Sequence, residues 1–315
     1  MLKKTLLILQ IFFLSISVSW AREAGGRVEV VTTLFPIYDF TKQVGKDKVN
    51  VSLLLPPGVE AHTFEPKPAD IVRINKADIF IYTGRYMEPW VEGILKGVFN
   101  KNFAVIDASK GIELAGGEDD EDAAGAKEAE HHHHHGGKDP HIWLDLGNAQ
   151  MMVDTIAAAL AQKDPGNRGF YLNNAKEYKV KLAGLDSRFK STLSTVKHKT
   201  LIHAGHFTFG YFARRYGLGY VSPYEGFSPN AEPTPRAIAR LIDMLRQSGM
   251  RYVYHEELLD PKVGRTISQE TGAKLELLHG AHNVSKDELN RGVTFLEIME
   301  ENLKKLKTGL ECSPR

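Results

Sequence analysis

The chain has 315 residues, about two domains at roughly 150 residues each, with 42% hydrophobic and 25% charged side chains. Its 40 basic and 39 acidic side chains leave a formal net charge of +1, which offers no basic stripe for nucleic acid and argues against wholesale disorder. The single cysteine, Cys312, excludes an internal disulfide framework and a cysteine-built zinc site, while 13 histidines are available for other chemistry.

Lys3-Lys4 and the apolar run Thr5 to Val18, followed by Ser19-Trp20-Ala21, read as a secretory signal cleaved after Ala21. The run is too short for a comfortable membrane span of about 20 residues. No cysteine follows it to carry a lipoprotein anchor. The mature chain is therefore expected to be exported to the periplasm and soluble.

Strands are expected at 27–34 and 48–55, the second stopped by Pro56-Pro57-Gly58. A short helix follows at 68–76, then strands at 78–83 and 103–107. Between 116 and 138 apolar periodicity disappears: an acidic stretch from Glu118 to Asp122 leads to His131 to His135, a flexible surface loop by composition. Helix 148–162 precedes a long helical stretch from Asp164 to about Val196, with Tyr171, Ala175, Tyr178, Leu182, Leu185, Phe189 and Leu193 three or four residues apart. The remainder alternates strands at 200–203, 219–221, 251–255 and 274–278 with helices at 207–216, 235–248, 261–271 and 287–307. This order implies an α/β protein with mainly parallel sheets. We expect an N-terminal αβ lobe over 22–163, a rigid connector helix over 164–197 and a C-terminal αβ lobe over 198–315.

Four isolated histidines lie at the edges of these elements. His62 follows the second strand, His206 the strand at 200–203 and His279 the strand at 274–278, while His141 follows Asp139-Pro140. Ligands of open αβ sheets bind outside the carboxyl ends of strands, so the four imidazoles point to a metal site in the cleft between lobes. Tetrahedral zinc suits an all-nitrogen set, and manganese, which prefers more oxygen, suits it less. His203 and His282 are the rivals for these positions, and His198 and His255 read as structural or solvent-facing. The five adjacent imidazoles at 131–135, among acidic neighbours, form a second feature suited to weak zinc capture.

Pro56-Pro57-Gly58 with His62 and Phe64-Glu65-Pro66 resembles the first metal motif of the zinc/manganese substrate-binding proteins of ABC transporters, the ZnuA-like group (cluster A-I). Asp139-Pro140-His141-Ile142-Trp143-Leu144-Asp145 is similar to its second motif, and His206 with Phe209-Gly210-Tyr211-Phe212 to its third. The resemblance implies two αβ lobes joined by a long helix, with the ion held by His62, His141 and His206. It implies a monomeric receptor that captures Zn²⁺ and hands it to a membrane permease. In place of the family's usual carboxylate after the last strand stands His279, so the fourth ligand is His279, His282 or water.

Enzyme motifs are missing. His255-Glu256 is not followed by histidine at 259, so the zinc-protease helix pattern fails, and no nucleophile elbow or phosphate loop occurs. The alternatives to a receptor are a secreted zinc hydrolase using the same cleft, with Glu225 or Glu257 as base, and a metal-binding adhesin.

Overall fold

The computed structural model describes residues 26–100, 102–116, 137–224, 226–227 and 232–312. The expected signal segment, the histidine run at 131–135 and Glu225 lie outside the described residues.

The first half begins with β1 (Val28–Thr32), α1 (Phe35–Gly45), β2 (Val49–Leu53), α2 (Pro68–Lys76), β3 (Ile79–Tyr82), α3 (Val91–Leu95) and β4 (Ala104–Asp107). Its four strands form one parallel sheet in the order β2-β1-β3-β4, with Val28 opposite Val49 and Ile79 opposite Ala104. Alternating β-branched residues make β1 a buried central strand: Val28, Val30 and Val31 are nearly inaccessible. The helix α1 goes beyond the expected elements. Its Pro36 sits in the first turn, where a missing N–H leaves no bond unmade.

Helices α4 (Leu146–Lys163) and α5 (Arg168–Leu193) follow. Asp145 caps α4 by accepting from the backbone N–H groups of Gly147 and Asn148. The long helical stretch starts later than expected, because Pro165–Asn167 forms a 3-10 turn ahead of α5. The 26 residues of α5 extend about 39 Å at 1.5 Å each. Its first half meets α1: Asn174 donates to the Val44 carbonyl (2.9 Å) and Tyr178 to Asp39 (3.2 Å). Its second half meets later chain: Phe189 packs on Phe212 and Tyr216, and Asp186 takes a bidentate bond from Arg215 at 2.7 and 2.8 Å.

The second half comprises β5 (Thr200–Ile202), α6 (Gly210–Tyr216), β6 (Gly219–Val221), α7 (Pro235–Ser248), β7 (Tyr252–His255), α8 (Lys262–Thr271), β8 (Lys274–Leu277), α9 (Lys286–Asn290) and α10 (Phe295–Gly309). β6 pairs with β5 and β8 with β7, all parallel. A parallel bridge between His203 and Tyr254 brings the two pairs side by side. Two helices replace the single one expected over 287–307. Gly292, at φ 71, turns the chain out of the helix, and Thr294 with Glu297 forms a capping box that starts α10.

Most buried apolar side chains of both halves belong to one continuous cluster that includes Phe40, Trp143, Tyr178, Leu185, Phe212 and Phe295, and a smaller cluster of Val31, Leu54, Ile74, Ala77, Phe80 and Val91 lies apart from it. α10 packs back onto α1, with the Phe40 and Phe295 rings 5.0 Å apart edge to face and the Phe295 N–H bonded to Asp39. Because both halves share packed side chains rather than a flexible linker, their relative positions are held from three sides, by α5, α10 and α1. Among the described residues no helix is long and apolar enough to cross a membrane.

Candidate metal centre

Loops from both halves meet near the carboxyl ends of the strands. His62 lies in the loop between β2 and α2, His206 in the loop after β5, and His282 in the loop after β8. His141 immediately precedes the short turn Ile142–Leu144 that leads into α4. One nitrogen from each of these four rings falls within 4.8 Å of the other three. The nearest approaches, Nε2 of His141 to Nε2 of His62 and of His206, are 3.3 Å each. An edge of about 3.3 Å is what a tetrahedron of nitrogens around zinc requires at bond lengths of about 2.0–2.1 Å. His141, His206 and His282 are buried at 0, 2 and 6% exposure, and His62 alone is half-buried.

Behind three of the rings stands a carboxylate in a repeated arrangement. Asp139 Oδ1 accepts the His141 backbone N–H at 2.9 Å and lies 2.7 Å from its Nδ1. Glu256 Oε1 accepts the His206 N–H at 3.2 Å, while Oε2 meets the His206 Nδ1. Glu257 Oε1 accepts the His282 N–H at 3.1 Å and lies 3.0 Å from its Nδ1. Each carboxylate thereby favours an Nδ1–H tautomer and leaves Nε2 free to face the centre. The loop of His62 is braced differently: Glu60 accepts the backbone N–H groups of His62 and Thr63 at 2.9 and 2.8 Å.

Electrostatics follow from this burial. Loss of water, and then repulsion from neighbouring imidazoles, holds His62, His141 and His206 well below the ordinary histidine value. Such rings are neutral at neutral pH and available as metal ligands. Burial also acts to lower His282, but its bond to Glu257 and that carboxylate's charge outweigh it and raise the ring. Desolvation pushes Asp139 up to about 8 and Glu256 to about 7. Glu257 is depressed: burial opposes its charge, and His279 and His282 outweigh burial.

Of the four histidines singled out by sequence, the fold brings His62, His141 and His206 together and leaves His279 outside the group. His279 Nδ1 accepts the N–H of Ala281 at 2.9 Å, and its backbone is tied in both directions to Asn302 on α10. The chain then turns at Ala281, whose φ of 59 is rare for a residue with a side chain, and delivers His282 to the cluster. Spacing along β8 does not encode this reversal; the one legible signal was a second histidine three residues on. His203 is wholly buried beside Tyr220 (3.3 Å from its hydroxyl) and His255 bonds the Glu256 carbonyl, so neither joins the cluster.

Thr208 Oγ1 lies 2.8 Å from His206 Nε2. An open cleft of about 390 Å³ lies beside the cluster, lined by Glu60, Thr63, Gly205, Glu256 and Asp260 among others, but by none of the four imidazoles.

Comparison with known proteins agrees with this architecture. Residues 30–309 match the family model described as zinc-uptake complex component A, periplasmic. The high-affinity zinc uptake system protein ZnuA of Bacillus subtilis is 41% identical over 290 residues, covering 92% of this chain and 90% of that protein. The crystal structure of the Zn(II)-bound ZnuA-like domain of Streptococcus pneumoniae AdcA superposes with a TM-score of 0.75 at 32% identity, over 91% of this chain and all of that one; the chain spans 56% of full-length AdcA. The laminin-binding protein Lmb of Streptococcus agalactiae, described as bifunctional with adhesin and metal transporting activity, matches at TM-score 0.78 and 27% identity, over 90% of this chain and all of that one.

Proposed function

The chain belongs to the family of periplasmic zinc-uptake component A proteins, and on that premise we propose that it captures Zn²⁺ outside the cytoplasmic membrane and delivers it to an ABC permease. The observation that carries the reading is the convergence of His62, His141, His206 and His282, three of them backed by a carboxylate. Capture is coordination without turnover. The rings are already gathered and largely dehydrated, so binding an ion orders little new structure.

His282 takes the fourth position in this reading, in place of the expected His279. Four imidazoles favour zinc, a borderline ion content with nitrogen in a tetrahedron, over manganese, which asks for more oxygen. A hydrolase needs an open position for water and a free base. Four protein nitrogens fill a tetrahedral shell, and Glu257 is occupied by Gly280, His282 and their backbone.

The expected two-lobe division at 163/164 and 197/198, with α5 as connector, fits a receptor that moves little. The shared core and the bonds from α5 to both halves support a small closure rather than a wide hinge. Export by a cleaved signal, and a monomer as the working unit, complete the proposal.

Competition titration of the purified protein with a chromophoric zinc chelator tests it. One tight site per chain is expected, lost in His62→Ala, His141→Ala, His206→Ala and His282→Ala and retained in His279→Ala and in a deletion of 117–136. Tight binding that survives the four cluster variants removes the site. Unimpaired zinc uptake in cells lacking the gene removes the transport role and favours adhesion.

A further inference from the structure

Glu256 and Glu257 are consecutive residues immediately after β7, and each holds a different imidazole of the cluster. Glu256 reaches the loop after β5 and Glu257 the loop after β8, so one dipeptide serves both. Glu256 grips the backbone N–H and Nδ1 of His206. Glu257 grips the backbone N–H and Nδ1 of His282, and its second oxygen takes the Gly280 N–H at 2.6 Å. Both carboxylates are buried, at 6 and 8% exposure. The packing around each is tight enough to exclude a methyl group. A Cβ on Gly205 would lie 2.5 Å from Glu256 Oε1, and one on Gly280 would lie 2.8 Å from the His282 ring.

Resting on the reading of the cluster as the zinc site, we propose that the Glu256–Glu257 dipeptide is the positioning element for two of the four ligands. Each carboxylate fixes its ring as the Nδ1–H tautomer with Nε2 turned to the ion, and the shared backbone makes the two ligands engage and release together. The two glutamates act through His206 and His282 rather than on the ion. The coupling follows from the shared backbone: a shift of this one segment displaces both carboxylates and so withdraws two nitrogens at once.

Glu256→Gln and Glu257→Gln preserve volume and replace an acceptor oxygen by an amide donor. Each is expected to weaken zinc binding by about 10–100-fold, the usual effect of losing a carboxylate partner behind a metal-bound imidazole, and to speed zinc dissociation. The double variant is expected to lose clearly less than the product of the two single losses, since the first substitution already frees the shared segment. The Co²⁺-loaded variants are expected to show an altered ligand-field spectrum. Glu88→Gln is the structural control. Glu88 is equally buried, accepting from Thr33, Thr83 and Gly84, and its variant should lose thermal stability while keeping the wild-type zinc dissociation rate.

Folded single variants with wild-type zinc affinity and Co²⁺ spectrum overturn the positioning role, and a double-variant loss equal to the product overturns the coupling. If the Gln variants do not fold, long-range ¹H–¹⁵N spectra of the zinc-loaded wild type decide. Zinc on Nε2 with a proton on Nδ1 in both His206 and His282 is expected, and zinc on Nδ1 in either ring overturns the proposal. His206→Ala and His282→Ala separate the two levels: tight binding in both variants removes the site itself, whereas loss there with none in the Gln variants removes the positioning role alone.

Discussion

The indole of Trp143 donates to the carbonyl of Gly280 at 2.8 Å, across 137 positions of sequence. This bond joins the loop that carries His141 to the turn that carries His282. Trp143 is wholly buried and meets the rings of His141 and His282 edge to face at 5.6 and 5.3 Å. One side chain thus links a cluster imidazole of the first half to one of the second.

Zinc titration should therefore change the fluorescence of this tryptophan. Trp143→Phe keeps an aromatic ring in a smaller volume and leaves the Gly280 carbonyl buried without its donor, the lost bond alone costing about 1–3 kcal/mol. The expected outcome is a lower melting temperature, weaker zinc binding and loss of the zinc-dependent emission change. An undiminished emission change in the variant assigns the signal to another tryptophan.

The turn at Ala281 gives a second expectation. At φ 59 and complete burial, glycine fits without strain whereas a β-branched side chain does not, the left-handed region costing an L-residue about 1–2 kcal/mol before any clash. Ala281→Gly should bind zinc within a few-fold of wild type. Ala281→Val should lose both stability and affinity, measured by thermal melts and chelator competition side by side.

Gly205 tests the crowding behind His206. A methyl group there would collide with Glu256 Oε1 and with His203 Cε1, at 2.5 and 2.7 Å. Both neighbours are buried, so the carboxylate must retreat from His206. Gly205→Ala should weaken zinc binding by about tenfold or more, on the scale of losing a partner behind the imidazole, and an unchanged dissociation constant would show that the carboxylate can shift without consequence.

One acid-sensitive contribution to stability lies away from the histidine cluster. Burial alone would raise Asp186, but bonds from Arg215 and Lys190 outweigh it and hold the carboxyl at about 2. A folded-state value below the unfolded one, about 3.9, contributes stability that is complete above pH 4 and is lost as pH falls from about 4 towards 2. Asp186→Asn removes the charge that Arg215 and Lys190 grip. At pH 7 it should lower stability by about 1–3 kcal/mol, the scale of hydrogen bonds to charged groups. In denaturant titrations the gap from wild type should shrink below pH 4; a gap independent of pH would contradict the assignment.

Much of this arrangement was written in local pattern. Alternating β-branched residues marked β1, and the succession of strands and helices implied parallel sheets. His62 and His206 were legible because each lies just past a strand end, where such folds bind ligands, and His141 through the motif Asp139-Pro140-His141-Ile142-Trp143 that carries the family resemblance. The break at Gly292 was missed because periodicity on either side continues through it, while the capping box of Thr294 and Glu297 restarts the helix in a new direction.

The choice between His279 and His282 could not be read from the sequence. Both follow β8, both are histidine, and no helical or strand period separates them. Three-dimensional contacts decide it. Asn302 ties down the backbone of His279, Ala281 reverses the chain in a conformation that no residue type at that position announces, and Glu257, brought in by β7, collects the His282 ring. Composition and periodicity thus determined most of the elements and their parallel pairing, because those depend on near neighbours in the chain, and three of the four rings were marked by strand-end position and by the motifs around His62, His141 and His206. The fourth ring and the carboxylates behind the cluster were decided by packing between distant segments, whose energies exist only once the two halves have met.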